Sequence, residues 1–95
     1  MKKEIITELG TYKLALVTND FVFYVNEYEF DENACVMMYD KNDKLISCNY
    51  FAFNEYISVM EQILLNDLEY EYIDNDQLEN MQWYFDCKNK LKKVV

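Results

Sequence analysis

The spacing of apolar residues changes from a period of about two to a period of about 3.6 near Asn54, and this change constrains the fold most. Segments of alternating or β-compatible residues precede it, over residues 4–9, 11–18, 21–30, 34–39 and 44–50. Asn19-Asp20 predicts a two-residue hairpin turn, because Asn and Asp tolerate positive φ. Short connections between consecutive strands predict an antiparallel meander of four or five strands within residues 4–53.

Two features of the strand region predict where the core lies. Alternation in the second strand predicts a shared face for Tyr12, Leu14, Leu16 and Thr18. Large aromatic residues in strands are usually buried, so core positions are predicted for Phe21, Phe23, Phe51 and Phe53.

The region after Asn54 predicts two helices. Asn54 is a candidate N-cap for a helix over residues 54–68. Its inner face is predicted to hold Ile57, Met60, Leu64 and Leu68, broadened by Tyr56 and Ile63. A second helix is predicted over 76–92, with an inner face of Leu78, Met81, Phe85, then Cys87 or Lys88, and Leu91. Strands grouped before helices predict a single α+β domain over 1–95, in which two C-terminal helices cover one face of the sheet.

Charge is the feature that most limits the choice of partner. The chain has eighteen acidic residues, nine lysines, no arginine and no histidine, and a formal net charge of −9. Residues 4–87 hold all eighteen acidic residues against three lysines, a charge of −15. Such a field speeds encounter with cations and repels nucleic acid and anionic membranes. We therefore expect a basic protein as partner, and neither direct nucleic-acid binding nor membrane binding.

Catalytic and metal-binding groups are sparse in this sequence. A nucleophilic Ser or Cys normally needs a base, usually histidine, and a transition-metal site needs histidine or clustered cysteine. Two stretches rich in oxygen ligands, 40–43 and 74–76 with Glu79, lack the spacing and the glycine of an EF-hand. They are interpreted as a hairpin turn and a helix N-terminus. No enzyme activity, cofactor or metal is expected.

Three cysteines, Cys35, Cys48 and Cys87, are odd in number, widely spaced and without a CxxC pair. They are predicted to be reduced and mostly buried. The start of the chain lacks the apolar region of a secretory signal, and no apolar run approaches the ~20 residues of a membrane span. A cytoplasmic location is therefore expected.

The segment 67–79 is the candidate binding site, because six of its thirteen residues are acidic and none is a lysine. The helix dipole favours acidic residues in the first turn of a helix, which accounts for Asp76 and Glu79 if they lie in the first turn of the second helix. It does not account for Asp67, Glu69 and Glu71, which follow or end the first helix, where the dipole disfavours negative charge. The structural alternative is a solvated connection between helices. The predicted partner-facing residues are Glu69, Tyr70, Glu71, Tyr72, Asp74, Asp76 and Glu79. A second acidic cluster consists of Glu27, Glu29, Asp31 and Glu32.

In size, charge and lack of catalytic groups, the chain is similar to phage anti-CRISPR and DNA-mimic antirestriction proteins, and to immunity proteins that neutralise basic nuclease toxins. The resemblance is one of overall character and rests on no shared motif. It implies an inhibitor that occupies the nucleic-acid-binding surface of a basic protein, in a bacterial or phage-infected host cell. The alternatives are a structural or regulatory subunit that docks on a basic partner, and a small-ligand-binding protein that uses carboxylates.

Overall fold

The computed structural model describes residues 2–8, 10–28, 33–68 and 79–94 of the chain. These residues contain five strands: β1 (Glu4–Thr7), β2 (Gly10–Val17), β3 (Phe21–Tyr28), β4 (Asn33–Asp40) and β5 (Leu45–Ala52). They also contain two helices, α1 (Phe53–Asp67) and α2 (Gln82–Val94). The strands form one antiparallel sheet in the order β1-β2-β3-β4-β5. The predicted α+β meander is confirmed.

The two turns that the sequence predicted are present, but neither Asn19 nor Asp20 has the positive φ that was expected there; among the described non-glycine residues, Asp43 has one. Between β2 and β3, the backbone N–H of Thr18 donates to Phe21 O at 2.9 Å, and the N–H of Phe21 donates to Thr18 Oγ1 at 3.0 Å. Between β4 and β5, Asp40 Oδ1 accepts from the N–H groups of Asn42 and Lys44 at 2.8 and 3.0 Å. The oxygen-rich stretch 40–43 is therefore a hairpin turn, as its sequence suggested.

Because β2 contains a β-bulge, its side chains do not all lie on the sheet faces that were predicted for them. Leu14 pairs with Tyr24 and Leu16 with Phe23, so that one additional residue of β2 lies between the two pairs. Leu14 therefore packs on the sheet face that carries Tyr12, whereas Leu16 packs on the opposite face. The prediction that Tyr12, Leu14, Leu16 and Thr18 share a face was wrong for this reason.

The helices cover one face of the sheet, as predicted. The cluster on that face joins strand residues to α1 and α2: Phe21, Phe23, Val25, Ala34, Val36, Met38 and Phe51 with Val59, Ile63, Met81 and Tyr84. The other face holds a second buried cluster drawn from strands alone: Tyr12, Val22, Tyr24, Cys35 and Met37. Three of the four predicted core phenylalanines are thus buried, and the side chain of Phe53 lies outside the described part.

The position and rotation of α1 differ from the prediction. The helix begins at Phe53, and Ala52 occupies the N-cap position without a side-chain hydrogen bond, so Asn54 is not the cap. Among its described side chains, those of Val59, Gln62 and Ile63 are buried. Ile57, Leu64 and Leu68, which were assigned to the inner face, are 49%, 38% and 57% exposed. The helix is apolar on several sides, and packing against the sheet selected a different side.

The second helix starts later than predicted. It begins at Gln82 rather than near residue 76, and its first turn contains no acidic residue. A turn over 79–81 precedes it, and Trp83 Nε1 donates to Asn80 O at 2.6 Å. Tyr84 in α2 and Met81 in the preceding turn are buried, and Phe85 packs against the same core. Leu78 and the side chain of Leu91 lie outside the described part. Among the described residues, no helix combines the length and apolarity needed to cross a membrane.

Candidate functional site

The predicted partner-facing region falls largely outside the described residues. Glu79 is described: it is exposed and lies in the turn before α2, where its carbonyl accepts a hydrogen bond from the N–H of Gln82 at 3.4 Å. It is therefore not in the first turn of the helix, contrary to the prediction. The other six residues, Glu69, Tyr70, Glu71, Tyr72, Asp74 and Asp76, lie outside the described residues.

The start of the acidic segment is attached to the β2–β3 turn. Asp67, the last residue of α1, accepts the backbone N–H of Asn19 with both carboxylate oxygens, at 3.0 and 3.2 Å. This contact joins residues that are 48 positions apart in the chain. It brings Asp67 close to Asp20, a neighbour that the sequence pattern could not reveal. Asp67 therefore has a structural role as well as its place in the candidate site.

A cleft of about 520 Å³ lies beside this contact, and it is lined by Asn19, Asp20, Asn66, Asp67, Phe85, Lys88 and Asn89. Lys88 Nζ donates to Asn66 Oδ1 at 2.9 Å and lies 5.4 Å from the centre of the Tyr84 ring. The ammonium group is thereby held by an amide and an aromatic face. The cleft presents acidic and amide oxygens, which can accept hydrogen bonds from the basic side chains of a partner.

Tyr84 lies in the core close to these charges. Its side chain is fully buried, and its hydroxyl has no hydrogen-bond partner among the described residues. Burial raises the pKa of Tyr84, and the negative charges of Asp67 and Asp20 raise it further. The neutral phenol is therefore the stable form in the fold.

The second acidic cluster lies apart from the first. Glu27 is exposed and accepts a hydrogen bond from the Tyr56 hydroxyl, while Glu29, Asp31 and Glu32 lie outside the described residues. Burial and this bond raise the pKa of Tyr56 to about 12. Tyr56 is in the first turn of α1 and Asp67 is its last residue, so they are roughly 16 Å apart along the helix axis. Where they are described, the two acidic clusters lie at opposite ends of α1.

Four described carboxylates have partners within the fold: Glu27, Asp40 and Asp67, as above, and Asp86, which accepts from Gln82 Nε2 at 2.8 Å. Other described acidic residues are exposed: Glu4, Glu8, Asp20, Asp43, Glu55, Glu61 and Glu79. No described residue donates a hydrogen bond to the carboxylates of this second set. Local structure therefore accounts for only part of the acidic surface.

An apolar stripe lies on the outer face of α1 and could not be inferred from the helical period alone. Ile57, Leu64 and Leu68 are exposed and, with Glu61, follow the spacing of one helix face. Leu68 directly precedes Glu69, so the stripe is continuous in the chain with the candidate acidic region.

Within the described residues, no group of three or more His, Cys, Asp or Glu side chains is arranged to hold a metal ion. Comparison of the chain with protein-family models, curated proteins and solved structures gives no match. Function is therefore inferred from the residues of the chain itself.

Proposed function

We propose that this chain is a small, acidic, non-catalytic binding protein that inhibits a basic protein by occupying its nucleic-acid-binding surface. The observation that carries the proposal is the distribution of charge: eighteen acidic residues against three lysines over residues 4–87. Grouping like charges destabilises a compact fold through repulsion and attracts a cationic surface from a distance. A basic partner would relieve that repulsion on binding.

The described carboxylates support this reading. Several exposed acidic residues have no hydrogen-bond donor among the described residues, so their charge is free to meet solvent or a partner. Asp67 attaches the beginning of the segment 67–79 to the β2–β3 turn. In the proposed complex, the carboxylates of that segment stand where phosphates would bind, and Tyr70 and Tyr72 act as anchors. The proposed location is the cytoplasm of a bacterial or phage-infected cell.

The test begins with a pull-down from bacterial lysate using the tagged chain, followed by elution of the bound protein with double-stranded DNA. Displacement by DNA is expected, because both ligands would occupy one basic surface. Simultaneous binding of DNA and this chain to the captured protein would contradict the proposal and favour a subunit role.

Charge reversal then locates the surface. Glu69→Lys with Glu71→Lys should slow association with the captured partner, and the difference should shrink as salt rises, because screening weakens steering. The matched control is Glu4→Lys with Glu8→Lys, which changes net charge equally at two exposed positions outside the segment. Equal slowing by both pairs would show that only net charge matters and would remove segment 67–79 as the site.

A second candidate function, a regulatory or structural subunit, is favoured by the exposed stripe Ile57, Leu64 and Leu68. Interfaces commonly place apolar residues centrally and charged residues at the rim. Leu64→Ser would weaken binding without altering its salt dependence if the stripe is the main contact. The charge-reversal pair would then have the smaller effect.

A further inference from the structure

We infer that Cys35 and Cys48 are a reversible dithiol–disulfide pair that joins β4 to β5 when the protein meets a small-molecule disulfide. This inference is independent of the proposed function. It rests on three observations about the sheet face that the helices do not cover: the distance between the sulfurs, their strand positions and their unequal access to solvent.

The two thiols are already in contact. Cys35 Sγ and Cys48 Sγ are 3.0 Å apart and hydrogen-bonded to each other. Cys35 pairs with Tyr50 and Cys48 with Met37, so the cysteines are diagonal neighbours on adjacent strands and share one face. Forming a disulfide of about 2.05 Å requires the sulfurs to approach by about 1 Å.

The strand arrangement permits this approach. Diagonal Cα atoms are typically about 7–8 Å apart, slightly beyond the usual disulfide range of about 4.4–6.8 Å. Because paired strands already lie about 4.8 Å apart, the bond requires a small shift of β5 along β4. In the described sheet β5 has a strand neighbour on one side, and its ladder with β4 shifts register after Met38. Both features allow local movement, and a bond formed under strain is readily reduced again.

The difference in exposure sets the order of the reaction. Cys48 is exposed and Cys35 is fully buried, so a disulfide such as oxidised glutathione meets Cys48 first. The Cys48 thiolate attacks one glutathione sulfur and releases one glutathione, which takes up a proton. The Cys35 thiolate then attacks Cys48 Sγ and releases the second glutathione. Two protein thiols become one disulfide, and one oxidised glutathione becomes two reduced molecules.

The surroundings make Cys48 slow at neutral pH. Although Cys48 is exposed as a residue, partial burial of its sulfur against Cys35 and the hydrogen bond between them raise the pKa of Cys48 to about 12. The groups of β4 that face it are Cys35 and Tyr39. Because the thiolate is the nucleophile, the reaction should accelerate as pH rises.

The test uses Cys87→Ser, which leaves only the two proposed partners, with the unmodified chain mapped in parallel. Each reduced, folded protein is incubated with oxidised glutathione at mildly alkaline pH, blocked with N-ethylmaleimide and analysed by mass spectrometry. Lys41 and Lys44 lie between the two cysteines, so trypsin separates them unless they are linked. The expected product is a monomer that has lost two hydrogens, takes up no maleimide and yields the linked peptides.

Two further variants test the order of the steps. Cys35→Ser should stop at a Cys48–glutathione adduct, and Cys48→Ser should react at least about tenfold more slowly because buried thiols react poorly. A lasting Cys48–glutathione adduct in Cys87→Ser, a covalent dimer, or a link that forms only in urea would each overturn the inference. Circular dichroism confirms that each variant is folded before it is oxidised.

Discussion

Removing the Tyr84 hydroxyl should stabilise the protein, whereas the same Tyr→Phe substitution at Tyr24 should destabilise it. Tyr84 is fully buried, and its hydroxyl has no hydrogen-bond partner among the described residues. In the unfolded chain this group binds water, so folding leaves a polar atom without compensation. Tyr84→Phe removes that atom and keeps the ring.

The magnitude follows from the surroundings of the ring. Its centre lies 6.0 Å from that of Phe21, 6.2 Å from that of Trp83 and 5.5 Å from that of Phe85, and these contacts remain in the variant. An unsatisfied buried group costs about 1–3 kcal/mol, so the free energy of unfolding should rise by about that amount. For a domain of this size, each kcal/mol corresponds to a shift of about 4–8 °C in Tm.

Tyr24→Phe is the matched control. The Tyr24 hydroxyl donates to Lys2 O at 2.9 Å, and its ring is also buried. Removing this bond should lower the free energy of unfolding by about 0.5–1.5 kcal/mol. Urea denaturation of both variants and the unmodified protein measures the two effects. Destabilisation of Tyr84→Phe equal to that of Tyr24→Phe would mean that the Tyr84 hydroxyl has a partner, and would refute the reasoning.

Two other positions give simpler predictions. Gly10→Ala should lower the free energy of unfolding by more than about 1 kcal/mol, since φ is +134° and an added Cβ would lie 2.7 Å from Asn26 Nδ2; unchanged stability in urea would contradict this. The pKa of Tyr56 is raised from the ordinary tyrosine value of 10.0 to about 12 in the fold. Because only the neutral phenol is stabilised in the fold, the free energy of unfolding should fall as pH rises through this range. Tyr56→Phe should lose less stability across that range in alkaline denaturation.

The order of strands and helices could be predicted because it depends on local signals. Alternation and turn-forming residues locate the hairpins, although the β2–β3 turn is held by the Thr18 side chain and not by Asn19 or Asp20. The bulge between Leu14 and Leu16 has no comparable local signal, since the alternation of the sequence continues through it. It results from pairing with β3, which is a property of two strands together.

The rotation of α1 was unpredictable for a similar reason. Its sequence offers two apolar faces, one through Ile57 and Leu64 and the other through Val59 and Ile63. The sheet selects the face with Val59 and Ile63, which leaves the other stripe exposed. Contact between Cys35 and Cys48 likewise depends on the register of β4 and β5. The predicted burial of the cysteines was wrong for Cys48, which is exposed, and Cys87 is half-buried, although none of the three forms a disulfide in the structure.

Glu79 offers the sharpest available test of whether the acidic segment has a structural explanation. A carboxylate in the first turn of a helix contributes about 0.3–1 kcal/mol through the helix dipole. Glu55 lies in the first turn of α1, so Glu55→Gln should cost that amount, whereas Glu79 precedes α2, which begins at Gln82. Glu79→Gln should therefore change the free energy of unfolding by less than about 0.3 kcal/mol, because dipole effects fall off beyond the first turn.

If urea denaturation shows the same loss of free energy of unfolding in both variants, the helix dipole accounts for Glu79. A role for Glu79 in partner binding would then not be required. Unequal costs would place Glu79 among the carboxylates that local structure does not account for. Its neutralisation should then slow association with the captured basic protein at low salt, and this effect should shrink as the Debye length shortens from about 30 Å at 0.01 M to about 8 Å at 0.15 M salt. If Glu79→Gln slows association without changing the free energy of unfolding, the Glu79 carboxylate contributes to partner binding and not to the stability of the fold.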